Sequence, residues 1–215
     1  MLKTVIFDQD GVILNSEKIN VASALYAFAK LGVQIDEADK KMIIGIHPTD
    51  YKNTLLAKYN VDFDQYTKIK SEYYYQQVDN VELFSKTIEI IKELKRKKIP
   101  LGLVTSSKRA TTERMMKKAG LAGVFKAMIC FEDCELRKPA PDCYLKAAEK
   151  LGLAPYECLA VEDSYPGLLA AKASGATCFV IPNEATKDQD FSQADKVIDY
   201  ERELDFKLFK EILGI

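Results

Sequence analysis

Thr4-Val5-Ile6-Phe7-Asp8-Gln9-Asp10-Gly11-Val12 is the stretch that decides the reading of this 215-residue chain. A short apolar run with β-branched Thr, Val and Ile breaks off into two carboxylates and a glycine. The run is too short for a helix and predicts a buried strand. Asp8 and Asp10 then sit just past its C-terminal end, the edge at which open parallel α/β sheets bind ligands. If the strand continues, side chains two apart share a face and both carboxylates point into one site. If the chain turns at once, Asp10 is aimed elsewhere, and Gly11 supplies the freedom to turn. Paired carboxylates suit a hard cation such as Mg²⁺. They also suit a nucleophile with a neighbour that moves protons. A solvated turn after a strand has the same composition, so the rest of the chain has to decide.

Outward from this strand, the chain changes character twice. From about Ser16 to about Val81 the pattern is helical, with no convincing strand. Glu17 to Leu31 carries Ala22, Leu25, Tyr26 and Ala29 on one apolar face, with Gly32 fitting the position after the last turn. Asp36 suits the cap of a short helix that stops at Gly45, and Pro48-Thr49-Asp50 starts another, with Leu55, Leu56 and Tyr59 following. Asp62 or Asp64 starts a fourth, with Tyr66, Ile69 and Tyr73 at helical spacing. These segments predict a small all-helical unit, a four-helix cluster.

From Ser85 onward, helices alternate with short apolar strands. A helix through Ile88, Ile91 and Leu94 ends in Lys95-Arg96-Lys97-Lys98, cations suited to the negative end of its dipole. Strands are predicted at Pro100 to Val104, Ala127 to Phe131, Cys158 to Val161 and Cys178 to Ile181, with Val197-Ile198 as a last edge. Helices between them end at Gly120, Gly152 and Gly175. This alternation predicts an α/β fold, a doubly wound parallel sheet of Rossmann-like type. The first strand belongs to that body, so residues 1–15 and 82–215 form the α/β core and residues 16–81 an inserted helical cap. The insert leaves from the edge that carries Asp8, which predicts a lid over the site.

Composition narrows the partners. A net charge of -1 gives no electrostatic reason to expect nucleic acid or an anionic membrane. No apolar run approaches membrane-spanning length. Met-Leu-Lys runs straight into the strand with no leader-like apolar region, and the five cysteines form no C-x-x-C pair. A cytoplasmic protein with free, mostly buried thiols is expected. No obligate protein partner is evident.

Three further strand ends carry polar residues. Leu101 to Val104 runs into Thr105-Ser106-Ser107-Lys108-Arg109, where a hydroxyl and free main-chain amides at a helix start suit a phosphate. An ordinary N-cap cluster has the same composition. Arg137-Lys138-Pro139 lies in a loop whose prolines restrict the backbone. Leu159 to Val161 runs into Glu162-Asp163-Ser164, and two acids after a buried strand are costly unless solvated, paired or metal-bound.

In this order, D-x-D-G-V, Thr-Ser-Ser, Lys-Pro and Glu-Asp-Ser-x-x-G resemble the four motifs of the haloacid dehalogenase (HAD) superfamily. The inserted helical cap is similar to that of the branch holding β-phosphoglucomutase and sugar-phosphate phosphatases. The resemblance runs from Asp8 to Gly167 and implies the following roles. Asp8 is the nucleophile that forms an aspartyl phosphate, and Asp10 is the general acid and then the base for water. Thr105, with the Ser106 amide, binds the phosphate, and Lys138 neutralises charge. Mg²⁺ is held by Asp8, Asp163 and the Asp10 carbonyl, with Glu162 adjacent. Ser16, Asn20 and His47 become candidate cap-side substrate contacts, although an exposed loop histidine fits the Gly45-Ile46-His47-Pro48 turn as well.

The implied function is a Mg²⁺-dependent phosphatase acting on a small phosphorylated metabolite, a sugar phosphate by class. The alternative is a sugar phosphomutase. A more distant one is a non-catalytic switch phosphorylated on Asp8. Two departures from the family pattern favour hydrolysis over the mutase reaction. Asn20 stands where the mutase carries a histidine, and Pro48 stands near its cap arginine for a second phosphate. Gln9 replaces the more usual apolar residue between the aspartates. Asn15 stands where many relatives have an Asp.

Overall fold

The computed structural model describes residues 1–43 and 51–215. Its sheet is built outward from the opening strand β1 (Thr4–Asp8), every residue of which is buried. A turn leads to β2 (Leu14–Asn15) and then to the helices α1 (Glu17–Lys30), α2 (Glu37–Lys41) and α3 (Phe63–Gln77). The chain returns through β3 (Glu82–Leu83), which pairs antiparallel with β2. The alternating part follows: α4 (Ser85–Arg96), β4 (Leu101–Val104), α5 (Arg109–Lys118), β5 (Ala127–Ile129), α6 (Asp142–Leu151), β6 (Cys158–Glu162), α7 (Tyr165–Ser174), β7 (Thr177–Val180), β8 (Lys196–Val197) and α8 (Phe206–Leu213).

The main sheet has the order β5-β4-β1-β6-β7-β8. All of its pairings are parallel, as the alternation of elements predicts. The chain runs from β1 to β4 and β5 on one side, then returns to β6 on the other. The C-terminal ends of β1, β4 and β6 therefore lie side by side at the reversal of strand order, where such sheets bind ligands. Ile6, Val104, Ile129, Ala160 and Val180 on the strands pack with Tyr144 and Ala147 on α6 and with Leu168 on α7. Each large apolar side chain buried this way contributes about 1.5–3 kcal/mol.

The chain divides into two compact units, Met1–Asn15 with Glu82–Ile215, and Ser16–Val81. In the second, α1 packs on α3, and Phe28, Tyr51, Leu55, Leu56 and Tyr66 form the core. The Tyr51 and Tyr66 hydroxyls share a buried hydrogen bond of 3.0 Å. Asp36 caps α2 by accepting from Asp39 N, and Asp62, not Asp64, caps α3 by accepting from Gln65 N. The stretch holding Leu55 and Leu56 is a π-helical turn, Lys52–Leu56, not a regular α-helix. The predicted helix end at Gly45 and the start at Pro48-Thr49-Asp50 lie outside the described residues.

Two expectations need correction. The face of α1 that is buried carries Ser23, Ala24, Ala27 and Phe28, while Ala22, Tyr26 and Ala29 are exposed. Apolar residues run almost all round this helix, so spacing alone does not select a face. Phe28 selects it, because its ring lies 4.8 Å from that of Tyr66. The strand predicted to Phe131 stops at Ile129, and Phe131–Asp133 is a 3₁₀ turn. There the Asp133 carboxylate accepts from Cys130 N at 2.7 Å and draws the chain out of the sheet.

Candidate active site

Asp8 ends β1 and is buried. The chain turns immediately afterwards, with Gly11 at φ +85°. Of the two orientations open to Asp10 from sequence, the turn selects the second. Its Oδ2 faces β4 and accepts from Ser107 Oγ at 3.1 Å and Thr105 Oγ1 at 3.3 Å. The Gln9 side-chain amide donates to the same oxygen at 3.1 Å. Thr105 Oγ1 in turn accepts from Ser107 N at 2.9 Å. Thr105 is buried and Ser106 is exposed beside it.

The loop after β5 delivers Lys138 to Asp8. Its Nζ donates to Asp8 Oδ1 at 2.5 Å and to Glu162 Oε1 at 2.6 Å. Glu162 ends β6 and is fully buried. Tyr144 on α6 donates its hydroxyl to the same Oε1 at 2.5 Å. The other oxygen, Oε2, lies 3.3 Å from Asp163 N and 3.4 Å from Ser164 Oγ. A Cβ on Gly167 would sit 2.0 Å from it, which accounts for the glycine in Ser-x-x-Gly. Glu162 is thus gripped from several sides and in turn fixes Lys138. A small cavity lined by Thr105, Ser106, Arg137 and Lys138 opens beside these groups.

Asp163 follows Glu162, and its Oδ2 accepts from Asn183 Nδ2 at 2.7 Å. A Cβ on Gly11 would sit 1.9 Å from that oxygen, so the glycine serves both the turn and the approach of Asp163. One oxygen from each of Asp8, Glu162 and Asp163 lies within 4.8 Å of the others. Burial pushes the Asp8 and Asp163 carboxyls well above their usual range, and neighbouring carboxylates add to the effect. Burial works against the Lys138 ammonium, but Asp8 and Glu162 outweigh it and hold Lys138 firmly protonated. Three carboxylates face one ammonium, so the cluster is short of positive charge. Its donors are all oxygens, which suits a hard divalent cation such as Mg²⁺ better than a soft one.

The structure therefore brings Asp8, Asp10, Thr105, Ser106, Lys138, Glu162 and Asp163 to one end of the sheet. Ser16 precedes the first turn of α1, and Asn20 Oδ1 lies 3.4 Å from Lys70 Nζ; both belong to the other unit. His47 lies outside the described residues. Sequence reasoning passed over Ser107, Tyr144 and Asn183. Asn183 stands two residues after Ile181, past β7, and the rule that singles out polar residues after strands reaches it. Ser107 is the third residue of the Thr-Ser-Ser run already singled out. Tyr144 has no local signal, since only the packing of α6 brings it to Glu162.

The family of haloacid dehalogenase-like hydrolases matches residues 5–181. The CbbY protein of Rhodobacter capsulatus is 30% identical over 210 residues, covering 90% of this chain and 91% of that one. Validoxylamine A 7'-phosphate phosphatase of Streptomyces hygroscopicus subsp. limoneus is 26% identical over 186 residues, 83% of this chain and 84% of that one. Among solved structures, CbbY of Rhodobacter sphaeroides in complex with phosphate superposes with a TM-score of 0.81 at 24% identity. The superposition covers 93% of this chain and 94% of that one. No helix among the described residues is long and apolar enough to cross a membrane.

Proposed function

The chain belongs to the haloacid dehalogenase-like hydrolase family, and from that membership we propose that it is a Mg²⁺-dependent phosphatase of a small phosphorylated metabolite, a sugar phosphate by class. The observation that carries the reading is the Asp8 carboxylate held 2.5 Å from Lys138 Nζ, with Thr105 on the neighbouring strand end. Members of the family are typically metal-dependent, and the buried carboxylates suit that requirement. Asp8, Asp163 and the main-chain carbonyl of Asp10 would hold the ion, with Glu162 adjacent. Bound there, Mg²⁺ supplies positive charge for the phosphoryl oxygens.

The chain's own residues do the rest. Asp8 attacks phosphorus and forms an aspartyl phosphate while the substrate's P–O bond breaks. Asp10 gives a proton to the departing oxygen. It then takes one from the water that attacks the aspartyl phosphate, releasing phosphate and restoring the Asp8 carboxylate. Lys138 stays charged and faces the negative charge that passes from Asp8 to the phosphoryl group. Thr105 Oγ1 and the Ser106 amide orient the phosphoryl oxygens once Asp10 gives up its place on Thr105. Phosphoryl transfer asks mainly for alignment and charge stabilisation, which this arrangement provides. The unit Ser16–Val81 acts as the lid that admits substrate and limits water, and Ser16, Asn20 and His47 are its substrate contacts. The phosphate in the Rhodobacter sphaeroides CbbY complex, and the xylulose-(1,5)bisphosphate in a second structure of a mutant of that protein, support a small phosphorylated ligand.

The test is phosphate release by the purified protein across a panel of phosphorylated metabolites with Mg²⁺. Asp8→Asn should abolish both turnover and covalent phosphate on the protein. The panel includes β-glucose 1-phosphate, with and without the glucose bisphosphate. Free phosphate should exceed glucose 6-phosphate, with no need for the bisphosphate. Rapid glucose 6-phosphate formation with little phosphate would replace the hydrolytic reading with the mutase one.

A further inference from the structure

Gln9 stands between the two aspartates and is fully buried. Its amide nitrogen lies 3.1 Å from Asp10 Oδ2 and 3.6 Å from Met115 Sδ on α5. Its amide oxygen has no hydrogen-bond partner among the described residues. Against the ionised Asp10 carboxylate, turning the amide over would set acceptor against acceptor, so in that state the N–H is the end that faces Asp10. A buried, unpartnered amide oxygen costs stability. A methionine of similar length would fill the same space beside Met115 without that cost. The one thing the amide supplies and an apolar side chain does not is an N–H aimed at Asp10.

The donors described on Asp10 Oδ2, from Gln9, Ser107 and Thr105, are not equivalent. Hydroxyls such as Ser107 and Thr105 can rotate and accept a hydrogen bond in place of donating one. An amide N–H only donates. A carboxyl oxygen that faces an N–H serves as its acceptor, and the acid proton belongs on the other oxygen.

We propose that Gln9 is a positioning residue for Asp10: its amide, fixed in the core at the end of β1, reserves Oδ2 as an acceptor and assigns proton transfer to Oδ1. The inference rests on Asp10 being the acid and base of the reaction proposed above. In the first step the proton leaves Oδ1 for the departing oxygen as the P–O bond breaks. In the second, Oδ1 takes a proton from the attacking water.

The experiment compares Gln9→Met with the native protein and with Asp10→Asn on a phosphate ester series. The series runs from p-nitrophenyl phosphate, which leaves without protonation, through phenyl to benzyl phosphate, which needs it. Alcohol release is followed in the first turnover, in Mg²⁺. Gln9→Met should release p-nitrophenol within about twofold of the native rate and benzyl alcohol about tenfold more slowly, the size expected for one hydrogen bond to a charged group. It should melt at or above the native temperature, because the unpartnered oxygen is gone.

Equal losses across the series, or no loss anywhere, would overturn the assignment. If Asp10→Asn shows the leaving-group split and Gln9→Met does not, only the role of Gln9 falls. If Asp10→Asn shows no split, the acid role of Asp10 falls and Gln9 falls with it. Gln9→Leu repeats the test should Gln9→Met not fold. Unfolding of both would also overturn the proposal, since the amide would then be needed for the fold itself.

Discussion

Lys138 Nζ reaches Asp8 Oδ1 at 2.5 Å across 130 residues of sequence, joining the end of β1 to the loop that follows β5. The contact is nearly closed to solvent, with side-chain exposures of 11% and 8%. Glu162 shares the same ammonium, so one lysine stands between two buried carboxylates.

Lys138→Met removes that ammonium and leaves Asp8 and Glu162 facing each other in the interior. Breaking a buried pair from one side costs about 3–5 kcal/mol, less whatever protonation of the carboxylates recovers. A clear drop in melting temperature is expected, together with a loss of turnover of about a hundredfold or more. Lys138→Arg should not restore activity, because a planar fork does not replace a compact ammonium between two oxygens. Thermal melts and phosphate release on the same preparations check both outcomes. Native-like turnover in Lys138→Met would remove this residue from the chemistry.

Gly167→Ala sets helix propensity against packing. Gly167 lies in the first turn of α7, and alanine is favoured over glycine in helices by about 1 kcal/mol. The added Cβ would sit 2.0 Å from Glu162 Oε2 and 2.1 Å from its Cδ, far inside contact distance. Glu162 cannot yield easily, since Tyr144 and Lys138 hold its other oxygen. Packing wins, so the variant should be less stable than the native protein, and turnover should fall as Lys138 loses its anchor. A melting temperature at or above the native one would show that Glu162 has room to move.

The residues legible in the sequence are those whose signal is local. A β-branched run that ends in acids, hydroxyls or a lysine loop marks a strand end whatever lies elsewhere. Asp8, Thr105, Lys138 and the Glu162-Asp163 pair could therefore be picked out one motif at a time. Their order along the chain matched a known family. What stayed hidden depends on which helix face meets which strand. Tyr144 looks like any core tyrosine until α6 packs over the sheet and aims its hydroxyl at Glu162. Gln9 reads as a spacer until its amide is seen to have one charged neighbour. The buried face of α1 is hidden for the same reason, because a helix apolar on most sides is oriented by its partner.

The five thiols give a chemical test of burial. Burial pushes Cys130 and Cys158 to about 11 and Cys143 to about 12, and raises Cys178 as well. Cys134 is also raised but is only half-buried. Alkylation requires an accessible thiolate. Brief exposure to iodoacetamide at neutral pH should therefore add one group, at Cys134, and the other four should react only after denaturation. Peptide mass mapping locates the adduct. Early modification of Cys143 or Cys178 would contradict the packing of α6 and β7.

The buried carboxylates make the metal and the proton competitors, and the sign of the pH dependence follows. A carboxyl whose pKa is raised on folding keeps its proton in the folded state where the unfolded chain has already lost it. Stability then falls as pH rises from the ordinary value of 3.8 through the raised one, and levels off above it. Asp8 and Asp163 are both of this kind. Main-chain N–H groups of Ser192 and Arg202 shift Asp190 and Asp199 the other way. Their contribution is lost only below 3.8, outside the window in question. Lys138 is raised, so its contribution is intact below 10.5 and changes nothing here. In chelator, the melting temperature should therefore decline from about pH 5 to about pH 8. Asp163→Asn, which cannot ionise at that position, should flatten the decline. Mg²⁺ binds the ionised carboxylates, so it should raise the melting temperature more at the alkaline end and offset the fall. Melts across this range in chelator and in millimolar Mg²⁺ decide the matter. A melting temperature that rises with pH in chelator, or curves that coincide with and without Mg²⁺, would sink the assignment of these carboxylates to a metal.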